Sequence, residues 1–101
     1  VKVLVSPEAK LRFRRTLLLY RSYMTKREAA RRAAKVKMVL RVLGERAGEG
    51  AYEELLDTPA DGIRYRRAIA GHFKIIYRVV EGVVEVSDIF DSRQDPQKMR
   101  G

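Results

Sequence analysis

The chain has 101 residues, 46% of them hydrophobic and none of them cysteine. That supports one domain with a single modest core and excludes disulfides and thiolate metal sites. A lone histidine argues against a multi-histidine metal centre, and no apolar run approaches the ~20 residues of a membrane helix, so the sequence reads as a soluble, cytoplasmic protein with no metal and no cofactor. The formal net charge is +9, and 15 of the 22 basic residues are Arg, an imbalance that suits a polyanionic partner, either nucleic acid or an acidic protein segment.

The elements follow in chain order. VKVLV, residues 1–5, is Val-rich and alternates around Lys2, which predicts a short strand. Ser6 then offers a helix cap, Pro7 suits the first helical position and Glu8 faces the positive end of the helix dipole. This helix runs through Leu11, Leu18, Leu19 and Tyr23 and is expected to end near Met24. Thr25 and Glu28 are spaced as a capping box for a second helix. Its apolar positions are Ala29, Ala33, Val36, Leu40 and Leu43, with Gly44 as the stop. Helices joined this tightly are expected to form an antiparallel hairpin. GERAGEG (44–50) reads as a flexible connection, AYEELL (51–56) as one or two helical turns, and DTPADG (57–62) as a turn-rich loop.

From Ile63 the periodicity changes to that of strands: IRYRRAIA, a break at Gly71, FKIIYRVV, a two-residue hairpin turn at Glu81-Gly82, and VVEVSDIF. A uniform register through that turn sets Val80 opposite Val83, Arg78 opposite Glu85, Ile76 opposite Ser87 and Lys74 opposite Ile89. Phe73, Ile75, Tyr77, Val79, Val84, Val86, Asp88 and Phe90 then share a nearly apolar face that packs on the helices, with Asp88 the misfit: either the core ends there or the register slips. The layout is an α+β fold, β-α-α-β-β-β, with a helical hairpin on one face of a small, mostly antiparallel sheet.

Alternation places Arg64 and Arg66 on one face of the first sheet strand, with Tyr65 opposite. Lys74 lies on the face predicted to be exposed, and DSRQDP after the last strand brings Arg93 to the end of the sheet that holds Lys74. Four cations around a shallow bowl suit a phosphodiester, positioning phosphates and stabilising charge that develops in a transition state. Asp91 or Asp95 would orient Arg93 through a carboxylate–guanidinium pair. Arg67 and Arg78 are further candidates for contacts to a nucleic-acid partner, although Glu85 opposite Arg78 can neutralise it. The plain alternative is a strand face coated with Arg for solubility. His72 beside Gly71 reads as a structural turn residue.

The stretch RRAIAGHFKIIYRVVEGVVEVSDIFDSRQDP resembles the C-terminal half of the RelE/ParE superfamily of bacterial type II toxins. The shared pattern is an Arg-bearing strand (Arg66-Arg67), Gly71, the strand Phe73-Lys74-Ile75-Ile76-Tyr77-Arg78, a short turn, a Val-rich strand and the terminus Arg93-Gln94-Asp95-Pro96. SPEA after a first strand is also typical of the family. In the RelE branch, the resemblance implies a ribosome-dependent endoribonuclease that cleaves mRNA, with Arg64, Arg66, Lys74 and Arg93 as its basic residues. Met99 falls about where that branch carries a Tyr and Asp91 about where it carries a His, so Asp91 is the available general base. In the ParE branch, it implies a DNA gyrase poison with no nuclease centre. A basic RNA-binding module without toxicity is a third reading. Either toxin branch implies a cognate antitoxin, whose acidic, partly helical segment would cover apolar residues such as Leu18 and Val39.

Overall fold

The computed structural model describes all 101 residues as an α+β fold with two helices against a five-stranded mixed sheet. Strand β1 spans Lys2–Val5, helix α1 Pro7–Tyr20 and helix α2 Lys26–Arg46; β2 is Ala51–Tyr52, β3 Arg66–Ala70, β4 Phe73–Val80 and β5 Val83–Asp91. The sheet order is β1-β5-β4-β3-β2. Only β1 runs parallel to its neighbour, β5; the other pairs are antiparallel. No helix is long and apolar enough to cross a membrane.

The helix starts follow their local chemistry. The Ser6 hydroxyl accepts the Ala9 N–H at 3.0 Å and Thr25 accepts the Glu28 N–H at 3.1 Å, each satisfying a donor that the first turn leaves free. Glu28 does not close a capping box, because its carboxylate takes the Arg31 guanidinium instead. Helix α1 stops at Tyr20, short of Met24, as its last turn tightens through bonds from Arg21, Ser22 and Tyr23 to carbonyls three residues back. Helix α2 does not stop at Gly44 but continues to Arg46. Gly44 is buried, and a Cβ there would clash with the main-chain oxygen of Val1, so this glycine permits close approach to β1 rather than ending the helix. Residues 51–56 are not helical: Ala51–Tyr52 pair with Arg66–Arg67 as an edge strand. Residues 63–65 lie outside β3.

The main core lies between the helices and the sheet. Tyr20, Ala29, Val36 and Leu43 meet Phe73, Ile75, Tyr77, Val84, Val86 and Ile89, all buried. Phe13 meets Phe73 edge-on with ring centroids 5.4 Å apart, the preferred aromatic geometry. The β4–β5 turn has φ of +50° at Glu81 and +76° at Gly82, the two left-handed residues of a type I′ hairpin. Register holds from Val80↔Val83 to Tyr77↔Val86 and then shifts by one.

That shift corrects the expected pairing. Ile76 faces Asp88 rather than Ser87, and Lys74 faces Phe90 rather than Ile89. Ser87 is the extra residue of a β-bulge. Because side chains alternate with period two, one inserted residue exchanges the faces beyond it. Asp88 and Phe90 therefore leave the helix-facing side, and Ile89 and Asp91 enter it. The far face is not simply exposed either: Ile76, Phe90 and Met99 form a second buried cluster there, joined by Leu56 and Tyr65. Asp88 pins the cover in place. It accepts Arg12 Nε at 3.1 Å from α1 and the Arg100 N–H at 2.9 Å from the C-terminal segment, so the misfit carboxylate is a clasp at the sheet edge.

Candidate functional site: distribution of the basic residues

The bulge and the actual start of β3 decide where each expected site residue lies. Arg66 pairs with Tyr77 and so projects on the helix side, whereas Arg67 pairs with Ile76 on the far side with Lys74. The expected grouping of Arg66 with Lys74 is thereby corrected: Arg67 shares the face of Lys74. Arg93 follows Asp91, which the bulge turns toward α1. Asp91 pairs with Phe73, four positions along β4 from the partner of Arg66, about 13 Å at strand spacing. Arg64, Arg66, Lys74 and Arg93 thus do not converge on one bowl.

Lys74 and Arg67 meet a buried carboxylate. Glu53 is 4% exposed, and its Oε2 lies 3.2 Å from Lys74 Nζ and 3.6 Å from Arg67 Nη1. The Leu55 N–H donates to its other oxygen at 3.3 Å. A buried charge of this kind persists only when paired, so the two cations hold the 51–56 segment against the sheet. Nothing in the sequence pattern marks Glu53, because that segment reads as one or two helical turns. Arg78 is held by Asp61 at 2.8 Å, with Glu85 at 3.8 Å as expected. The Asp61 carboxyl lies below its ordinary range because the Ile63 N–H and the Arg78 guanidinium donate to it.

Arg93 forms the third knot. Its Nε and Nη2 donate to the two Asp91 oxygens at 3.1 and 2.9 Å, and its main-chain N–H adds a bond at 3.0 Å. The Tyr20 hydroxyl donates to the same carboxylate. Burial opposes the charged form of Asp91, but these donors overcome it and hold the pKa at about 2. Burial and the adjacent carboxylate push Tyr20 up to about 12, and the bond to Asp91 raises Arg93 further above its ordinary value. Asp91 is 4% exposed with both oxygens occupied, so it makes a poor general base at neutral pH. Its pairing with Arg93 matches the carboxylate–guanidinium contact expected from DSRQDP.

Arg64 and Arg66 are the expected pair that does come together. Both guanidiniums lie on the Tyr52 ring, 3.9 and 4.3 Å from its centre. Arg66 also donates to the Gly50 carbonyl at 2.6 Å and the Tyr52 hydroxyl at 3.0 Å. Neither touches a carboxylate. They border a cleft of about 550 Å³ with Gly48, Ile63 and Val79. Met99 is buried in the far-face core and His72 is exposed at the β3–β4 turn, where its carbonyl accepts the Ser92 N–H and hydroxyl at 2.8 and 2.7 Å. Leu18 is 62% exposed and lines a groove between the helices with Leu17, Ala29, Ala30 and Ala33, rimmed by Arg14, Arg21 and Lys26. Val39, the other apolar residue expected under an antitoxin segment, is half-buried and packs against the main core.

The charge is unevenly divided. Residues 7–46, the two helices and their turn, hold 13 basic and three acidic side chains, a net +10. The remaining 61 residues carry nine basic and ten acidic side chains, a net −1. The whole surplus therefore sits in the helical layer. This partition is legible in the sequence alone. Neither a protein-family model nor a curated protein matches this chain.

Proposed function

We propose that the chain is the toxin of a type II toxin–antitoxin pair, RelE/ParE-like, and that it arrests growth by binding DNA gyrase rather than by cutting mRNA. The family reading rests on the resemblance through residues 66–96. The choice of branch rests on one observation: the cations that a nuclease centre would need are divided between two faces, and Lys74 and Arg93 are held by buried carboxylates. A phosphoryl-transfer site needs its charges convergent and free to meet the developing negative charge. Asp91, the available base, is spent on Arg93 and Tyr20. A binding toxin needs none of this, and a helical layer of +10 offers a broad cationic surface for an acidic antitoxin segment.

Purified protein added to a gyrase supercoiling assay should inhibit supercoiling, and translating ribosomes given a defined mRNA should leave it uncut by primer extension. Cleavage at A-site codons that disappears in Arg93→Ala would overturn the binding reading in favour of the nuclease. Cells expressing the chain without an antitoxin and growing normally would overturn the toxin reading itself.

A further inference from the structure

We propose that the cleft between α2 and the β3–β4 turn binds a phosphate group. It measures about 270 Å³ and is lined by Glu28, Arg31, Arg32, Lys35, Gly71 and His72, among others. That is below the ~300–1,000 Å³ of a typical small-molecule pocket and suits a compact ligand. Three cations face one carboxylate, and that carboxylate, Glu28, is engaged by Arg31. Arg32 and Lys35 take part in none of the protein's ion pairs. Arg31, Arg32 and Lys35 against Glu28 leave the cleft with a surplus of two cations.

Arg32 is half-buried and has no carboxylate partner; its Nη1 is closed off from solvent and finds no acceptor on the protein, so nothing in the fold itself neutralises this cation. The guanidinium is held instead by the Tyr20 ring, 5.6 Å from its centre, so its position is set by stacking and its charge is left unneutralised. The Lys35 stem passes beside the turn: its Cδ lies 3.7 Å, ordinary contact distance, from where a Cβ at Gly71 would stand. Gly71 bends the turn with φ +63°, and the two Ser92 bonds to the His72 carbonyl fix the turn beneath it.

Phosphate fits this cleft better than carboxylate does. A carboxylate presents two oxygens in one plane and is satisfied by a single Arg fork. Here an Arg, a Lys and an imidazole approach from two different elements, α2 and the turn, which matches a group with acceptors on several sides and nearly two negative charges. Neither gyrase binding nor mRNA cleavage calls on these residues, so the inference stands or falls apart from both.

Amide shifts followed by NMR at low, matched ionic strength test it with three probes: inorganic phosphate, AMP and a short single-stranded oligonucleotide. The expected result is saturable shifts at Arg32, Lys35, Gly71 and His72, with affinity falling about tenfold in Lys35→Gln. Lys35 is exposed, so that variant keeps the fold. Arg32→Met, which retains an apolar stem on Tyr20, should weaken binding similarly. Saturation by phosphate and AMP is the expected outcome; saturation by the oligonucleotide alone, whose phosphodiesters each carry a single negative charge, would overturn the dianion argument. Shifts confined elsewhere, no shifts with any probe, or unchanged affinity in Lys35→Gln would overturn the proposal.

Discussion

Replacing Arg93 by Ala isolates the Tyr20–Asp91–Arg93 knot. The Asp91 carboxylate accepts four bonds, from the Tyr20 hydroxyl and from the Arg93 Nε, Nη2 and main-chain N–H. Arg93→Ala removes two of them and the only neutralising charge. Breaking a fully buried pair costs ~3–5 kcal/mol; the Arg93 side chain is 43% exposed, so water can replace part of it and about 2 kcal/mol at pH 7 is expected. For a domain of this size that lowers Tm by about 8–16 °C. The pH dependence gives a second signature. Asp91 has a folded pKa of about 2 against an ordinary 3.8, so the unfolded chain takes up the proton first. Its contribution is complete above about pH 4 and is lost as pH falls through about 2. Allowing for screening of the half-exposed partner, that contribution is about 1–2 kcal/mol. Without Arg93, burial dominates and the depression disappears. Urea melts of both proteins at pH 7 and pH 2.5 should therefore show a stability gap that narrows on acidification. A gap below about 0.5 kcal/mol at pH 7, or one that does not change with pH, would refute this account of the knot.

Three further outcomes follow from the fold. Deleting Ser87 removes the bulge and should turn Phe90 into the helix-side core and Ile89 out of it, giving a chain without a cooperative melt, whereas Ser87→Ala should fold normally by circular dichroism. Glu53→Gln leaves Lys74 and Arg67 facing a neutral amide and should cost about 2–3 kcal/mol in urea unfolding; an unchanged midpoint would show that the pair of cations does not hold the 51–56 segment. Gly44→Ala should destabilise by about 1–3 kcal/mol despite the better helix propensity of Ala, because the new Cβ meets the Val1 main-chain oxygen and not a movable side chain; a raised Tm would refute the close approach.

Periodicity and caps made most of the elements legible. Ser6 and Thr25 both cap as their positions suggest, and Glu81-Gly82 forms the hairpin turn. The site was harder to read because its geometry depends on one residue. Nothing about Ser87 distinguishes a bulge from a regular strand position, and counting by two across it assigns Asp88, Ile89 and Phe90 to the wrong faces. Asp88 was the one visible sign, a carboxylate on an otherwise apolar face. The start of β3 had a similar effect: Arg64 and Arg66 were placed by continuous alternation, but regular pairing begins only at Arg66. Glu53 is not legible in the sequence because its burial depends on Lys74, 21 residues away, and on Arg67. Such tertiary pairing leaves no local pattern.

The ion pairs change what the +9 charge means. Seven of the 22 basic side chains are tied to carboxylates, and Arg67, Lys74, Arg78 and Arg93 among them belong to the sheet and the segment after it. Ten of the remaining fifteen lie in residues 7–46. The protein is therefore electrically two-sided, nearly neutral over the sheet and strongly cationic over the helices. At physiological salt the Debye length is about 8 Å, shorter than the 22 Å least extent of the molecule, so an approaching anionic partner responds to the nearer layer and not to the average. Electrostatic steering then favours encounters through α1 and α2. The exposed Leu18 groove and the Arg32–Lys35 cleft both open on that layer. The surplus charge that suits a polyanionic partner therefore lies on the helices and not on the sheet.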